Sequence, residues 1–121
     1  MQIVVPAAGR GQRFLDAGYP GPKPLIKVLG KPIIKWSTDE LRGVVDPRFI
    51  FIVLKEHIEN NQLDECLKEL YGNCEVIPVD RLTAGAACTV LLAKDKLDPE
   101  KELMIVNCDN LFYLDMDKVR E

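Results

Sequence analysis

Residues 49–54 read FIFIVL, six apolar side chains in a row with no polar alternation. A strand with one wet face alternates apolar and polar residues. An unbroken apolar run of this length has both faces buried, which is the condition of strands in a parallel sheet covered by helices on both sides. Three further apolar runs, at 3–5, 76–79 and 103–106, also contain β-branched side chains. The last three runs start 27 residues apart, at 49, 76 and 103, which leaves room for a crossover helix each time.

The intervening segments read as helices. Residues 32–43 begin with Pro32 at a first helical position, end at Gly43 and carry Ile33, Ile34 and Leu41 on one side. Residues 56–71 place Leu63, Cys66, Leu67, Leu70 and Tyr71 at helical spacing, an inward stripe stopped by Gly72-Asn73. Residues 85–94 carry Ala87, Val90, Leu91 and Ala93. A short extra strand is expected at 25–29, and a further helix is expected to begin at 115–121. The result is a single 1–121 domain of α/β class, a Rossmann-like, open, mostly parallel sheet with helices on both faces.

Right-handed crossovers and the common strand order 3-2-1-4 make the first and fourth strands neighbours at the switch point. Ligands bind there, at the carboxyl ends of the strands. The loop after the first strand is 6–13; the loop after the fourth is Asn107-Cys108-Asp109-Asn110. The two most unusual polar stretches are thus expected to face each other.

Their residue types suit a polyphosphate. Gly9 and Gly11 let the backbone come close to a ligand. Their amides, with those of Ala7 and Ala8, suit phosphate oxygens. Arg13 adds a forked, permanently charged donor. Lys23 is an ammonium that Pro22 and Pro24 are expected to hold on extended backbone. Asp109 suits a hard cation such as Mg²⁺, which takes one or two carboxylates plus phosphate oxygens. Donors, cations and a metal are the parts of phosphoryl or nucleotidyl transfer. The spacing excludes two other phosphate binders: Phe14 stands where G-x-G-x-x-G needs its third glycine, and no G-x-x-x-x-G-K-[ST] occurs. Each feature alone has a plainer reading: a turn, a solvated linker, a helix cap, a close-packed helix start at Gly85. Their conjunction in this order carries the functional reading.

The totals restrict partners. A net charge of −3 does not coat nucleic acid or an anionic membrane, so neither is an expected partner. No apolar run approaches the roughly 20 residues of a membrane span. Cys66, Cys74, Cys88 and Cys108 form no C-x-x-C pair, and the single histidine is His57. They read as reduced thiols of a cytoplasmic chain rather than zinc ligands. His57 reads as a surface residue and Trp36 as a packing anchor.

The segment "VVPAAGRGQRF…GPKPLIKVLGKPII" resembles the N-terminal signature of sugar-phosphate nucleotidyltransferases, A-G-x-G-x-R followed by K-P-L and G-K-P. "LTAGAACTVLLA" is similar to the family's G-[TA]-A helix start and "IVNCDN" to its strand-end aspartate segment. The resemblance implies that Ala7, Ala8, Gly9 and Gly11 line a nucleoside triphosphate, with backbone near Ala7 and Gly85 holding the base. It implies that Arg13 and Lys23 stabilise the triphosphate and that Asp109 holds Mg²⁺. A sugar 1-phosphate would then attack the α-phosphorus, giving a nucleotide-sugar and pyrophosphate.

There are departures. Cys108 stands where relatives often have glycine. No glutamine precedes the Gly85 segment in Asp80-Arg81-Leu82-Thr83, so the base stays open. Relatives continue for about as many residues again, so the chain is expected to be the N-terminal, nucleotide-binding part of a longer enzyme. Exposed edges left by a missing half give a route to a homodimer. Two rivals stand beside this reading. One is a cytidylyltransferase acting on a non-sugar alcohol phosphate of choline phosphate type; the other is a catalytically incomplete nucleotide-binding module.

Overall fold

A computed structural model describes residues 1–9, 11–19, 21–39, 41–80, 85–109 and 114–119. The chain runs β1 (Gln2–Ala7), α1 (Gln12–Asp16), a 3-10 turn (Lys23–Leu25), β2 (Lys27–Val28), β3 (Lys31–Pro32) and α2 (Ile33–Asp39). It continues through β4 (Leu41–Arg42), β5 (Arg48–Leu54), α3 (Lys55–Asn61), α4 (Leu63–Tyr71) and β6 (Glu75–Val79). Then follow α5 (Ala86–Leu91), a second 3-10 turn (Lys94–Lys96), β7 (Leu103–Ile105), β8 (Leu114–Asp115) and α6 (Met116–Val119).

The main sheet has the order β6-β5-β1-β7, and every pair in it is parallel. Counting only its four strands, this is the expected 3-2-1-4. The FIFIVL run fills β5 at the centre, and Ile50 to Leu54 are all buried. Successive side chains leave a strand on opposite faces, so the run divides between two cores. Phe51 and Val53 join Ile3, Val5 and Ala7 of β1 on one face, beneath Ile34 of α2 and Leu63 and Leu67 of α4. Ile50 and Ile52 join Val4 on the other, beneath Val90 of α5 and Ala93. The helices therefore cover both faces. Each fully buried aliphatic or aromatic side chain contributes about 1.5–3 kcal/mol to keeping them there.

The peripheral elements depart from the expected boundaries. The 56–71 helix is two helices, because Gln62 sits at φ 52° between them, its N–H closing α3 on Ile58 O at 3.0 Å and its carbonyl accepting from Cys66 N–H at 3.1 Å to open α4. The 32–43 helix ends at Asp39. Leu41–Arg42 instead forms β4, which pairs in parallel with β8, and Pro32 belongs to β3 rather than to a first helical turn. The single strand expected at 25–29 is a 3-10 turn followed by the β2–β3 hairpin. Its two-residue tip, Leu29-Gly30, has φ values of 53° and 79°. The helix expected from 115 is the short α6, after β8; residues 120 and 121 lie outside the described residues. His57, expected at the surface, is buried on α3. No described helix is long and apolar enough to cross a membrane.

Candidate functional site

β1 and β7 are parallel neighbours, so their carboxyl ends open on the same side of the sheet. The register pairs Val4 with Ile105, and the amide of Val106 still donates to the carbonyl of Val4 at 3.0 Å before the strands part. A cavity of about 180 Å³ lies where they diverge. The end of β1 supplies Pro6 and Ala7, and the turn after it Gly9 and Gly11; the segment after β7 supplies Asn107, Cys108 and Asp109. Lys23 and Pro24 close the cavity between them.

Gly11 has a double reason to be glycine. It caps α1 at φ 65°, a left-handed conformation. A Cβ there would also lie 2.9 Å from Cβ of Lys23. The turn and the lysine are thus packed backbone to side chain. Gly9 is different: a Cβ on it would meet nothing within 4 Å, so its bareness leaves open space over the cavity.

Lys23 is not on continuously extended backbone, as its flanking prolines suggested. Pro22 is extended (φ −66°, ψ 140°), but residues 23–25 turn into a 3-10 helix, with Leu25 N–H donating to Pro22 O at 3.0 Å and Ile26 N–H to Lys23 O at 3.1 Å. Both prolines are buried. That anchored turn aims the ammonium across the cavity, where Nζ donates to Oδ2 of Asp109 at 2.5 Å and stands 5.5 Å from the centre of the Phe14 ring. Cys108, beside Asp109, has its thiol pushed up to about 11, first by burial and then by the Asp109 charge, with Lys23 opposing. It lines the cavity as a neutral group.

Of the residues expected to form a site, Ala7, Gly9, Gly11, Lys23 and Asp109 line this one cavity. Ala8, between Ala7 and Gly9 in the chain, is buried and is not part of the lining. Arg13 is exposed on α1 and is not part of the lining. Gly85 caps α5 in an extended conformation, its carbonyl accepting from the Thr89 amide and hydroxyl, and it too lies outside the lining. Residues 81–84, where the base-reading glutamine would fall, lie outside the described residues.

The donor set fits a magnesium ion that arrives with phosphates. Among the described residues no three His, Cys, Asp or Glu side chains gather as a metal cluster. One carboxylate, Asp109, faces a cavity of phosphate dimensions, and a single protein ligand suffices when phosphate oxygens and water complete the octahedron.

A second, larger cavity of about 320 Å³ adjoins the first through Asp109, which lines both. Among the described residues its other walls are Val28, Leu29, Ile33, Trp36 and Ser37. Trp36, expected as a packing anchor, is half-buried here, its indole N–H donating to Val28 O at 2.9 Å. Nothing in the sequence pattern marked this cavity.

Residues 3–118 match the family model described as the MobA-like NTP transferase domain. The chain belongs to this family. Among curated relatives, it is 25% identical to the bifunctional protein GlmU of Methanocaldococcus jannaschii over 98% of this chain and 27% of that one. It is 29% identical to the UTP–glucose-1-phosphate uridylyltransferase AglF of Haloferax volcanii, over 98% of this chain and 47% of that one. Among solved structures, a putative glucose-1-phosphate thymidylyltransferase from Bacillus anthracis superposes with TM-score 0.75 at 21% identity, covering 99% of this chain and 48% of the other. The inositol-1-phosphate CTP transferase of T. maritima gives 0.71 at 20% identity, over 92% and 44%. The fold is therefore that of nucleotidyltransferases, and the chain spans half the length of these relatives or less.

Proposed function

We propose that the cavity between the β1 and β7 ends binds the phosphates of a nucleoside triphosphate, and that the protein containing this domain transfers the nucleoside monophosphate to a sugar 1-phosphate. The meeting of Lys23 with Asp109 at the mouth of a glycine-lined turn carries this reading. In the reaction, a phosphate oxygen of the acceptor attacks the α-phosphorus. The bond from the α-phosphorus to the oxygen bridging to the β-phosphorus breaks, and pyrophosphate leaves with that electron pair.

The chain's own residues serve this step by position and charge. The main chain at Ala7, Gly9 and Gly11 admits the phosphates closely, and the Lys23 ammonium neutralises charge on the leaving pyrophosphate. Asp109 would hold Mg²⁺, which when bound offsets phosphate charge and orients the oxygens. A nucleoside triphosphate exceeds a 180 Å³ cavity, so it extends beyond the lining.

Calorimetric titration of UTP, TTP, CTP and ATP, with and without Mg²⁺, tests the reading. Saturable binding that needs Mg²⁺ and falls in Lys23→Ala supports it. Absence of saturation with all four nucleotides at millimolar concentration defeats it.

A further inference from the structure

Lys23 and Asp109 do not stand open to the charges that a metal nucleotide brings; they hold each other. Lys23 Nζ donates to Asp109 Oδ2 at 2.5 Å, and among the described residues no second cation pairs with that carboxylate. An ammonium on Oδ2 fills a position that a cation needs, since Mg²⁺ binds carboxylate oxygens directly, at about 2.0–2.1 Å. The second oxygen offers no escape. A divalent ion there lies beside a fixed positive charge, and like charges so close disfavour each other.

The lysine is also held where it is. Its stem passes Gly11 so closely that an added Cβ on the glycine would lie 2.9 Å from Lys23 Cβ. Nζ stands 5.5 Å from the centre of the Phe14 ring, within cation–π range. The backbone beneath is the 3-10 turn closed by the Leu25 and Ile26 amides. Turn, ring and carboxylate together fix the ammonium across the cavity between the β1 and β7 ends. Both partners keep part of their surface in solvent, so the pair is weak enough to open when something takes both ends.

Charge decides what opens it. Paired, the two groups sum to zero. A lone divalent cation gains the carboxylate only by expelling the ammonium. A metal-free polyphosphate gains the lysine but is left facing a bare carboxylate. A polyphosphate that already carries a cation satisfies both groups at once, so two contacts between opposite charges replace one. We propose that the Lys23–Asp109 pair is an inhibitory latch, which shuts the site to free divalent cations and to metal-free polyphosphate and opens for their complex. The inference rests on the proposed nucleotide site and adds a condition to it. Lys23 opposes cation binding at Asp109 while the cavity is empty and supports it once phosphates are bound. By linkage, each of the two ligands then strengthens the other.

The test uses the change of sign. Lys23→Met removes the ammonium and keeps an unbranched stem beside Gly11 and Phe14; Lys23→Gln repeats the measurement with a polar, uncharged stem. Mn²⁺ alone is titrated into the full chain while paramagnetic broadening of the Gly11 and Cys108 amide signals is followed, which separates this site from the rest of the acidic surface. Both variants are expected to reach half-broadening at about fivefold lower Mn²⁺ than the unsubstituted chain, the factor that an exposed ion pair is worth at its upper end. Lys23→Arg, which keeps the charge, stays near the unsubstituted value. A lysine that only supports a metal site would shift the affinity the other way.

The second arm frees the lysine instead. In EDTA, Asp109→Asn is expected to bind inorganic tripolyphosphate about fivefold more tightly than the unsubstituted chain, followed by calorimetry. Equal or weaker binding in the substituted chain in either arm, or no local broadening by millimolar Mn²⁺ in any chain, overturns the latch. Magnesium-dependent nucleotide binding without these two gains sinks the latch alone. Absence of binding by tripolyphosphate and by all four nucleotides sinks the parent reading, and the Mn²⁺ arm still decides whether Lys23 gates a cation.

Discussion

Lys23 and Asp109 stand 86 positions apart in the chain, yet the ammonium and the carboxylate meet at 2.5 Å. The pair joins the turn that follows α1 to the segment that leaves β7, across the cavity between the β1 and β7 ends. Both side chains keep contact with solvent, at 27% and 36% exposure. An ion pair so placed contributes only about 0–1 kcal/mol to stability. Its position, rather than its energy, is the notable property: bound phosphates would take the lysine and a bound cation the carboxylate.

Lys23→Ala is therefore expected to shift the thermal midpoint by a few degrees at most, while affinity for a magnesium nucleotide falls tenfold or more. A charged hydrogen bond lost to phosphate costs about 1.5–3 kcal/mol, well above the exposed pair's share of stability. Differential scanning fluorimetry and calorimetry on the same preparation measure the two. A large loss of stability with unchanged affinity would make the pair a structural strut.

The two cavity glycines should behave differently. Gly11→Ala forces a Cβ to within 2.9 Å of Lys23 Cβ at a left-handed φ. The expected loss is about 1–2 kcal/mol from the backbone alone, with weakened nucleotide binding as Lys23 is displaced. Gly9→Ala meets no protein atom within 4 Å, so urea unfolding should be nearly unchanged while nucleotide affinity drops. If Gly9→Ala binds nucleotide normally, no ligand approaches that backbone closely.

The central sheet was legible because its physics is local to the strands. FIFIVL announced two buried faces, the 27-residue spacing announced crossovers, and the common strand order 3-2-1-4, taken as given, then made the two loops face each other. What was hidden lay where no residue type carries a turn signal. Gln62 takes a left-handed conformation without being glycine or asparagine, so nothing in the stripe from Leu63 to Tyr71 signalled two helices. Leu29 does the same at a hairpin tip, and β4 becomes a strand only because β8, more than 70 residues later, pairs with it. Ala7, Gly9, Gly11, Lys23 and Asp109, expected together from motif spacing and resemblance, line one cavity. The apolar cavity could not be expected, since it depends on how the hairpin folds over α2.

Thiol labelling should separate the cysteines by environment. Cys88 is exposed, whereas Cys108 is held near 11 by burial and the neighbouring Asp109 charge. Relative to an ordinary thiol near 9, its thiolate fraction at pH 8 is about a hundredfold smaller, and labelling proceeds through the thiolate. Brief iodoacetamide treatment followed by peptide mass spectrometry should find Cys88 modified and Cys108 intact. Early modification of Cys108 would show the cavity open and wet.

Alkaline stability tests the packing under the sheet. Tyr71 lies against Phe49 and Phe51, each ring centre 4.7 Å away, with its hydroxyl 2.8 Å from Thr38 Oγ1 and donating to Ile34 O at 3.2 Å. Burial raises its phenol well above the usual 10, and the nearby Asp39 charge adds to the effect despite the Thr38 hydrogen bond. Above about pH 10 the unfolded chain therefore releases the Tyr71 proton while the folded chain keeps it. The folded state then binds more protons, so stability falls as pH rises, by at most about 1.4 kcal/mol per pH unit from this group. Cys108 adds a fall of the same sign beginning near its ordinary value of 9. Urea unfolding at pH 7, 9, 10 and 11 should record the decline. In Tyr71→Phe the fold should lose about 0.5–1.5 kcal/mol at pH 7 with the hydroxyl's hydrogen bonds. The fall beyond pH 10 should become shallower, since phenylalanine has no proton to release. An identical alkaline slope in the variant would place that proton linkage on other groups.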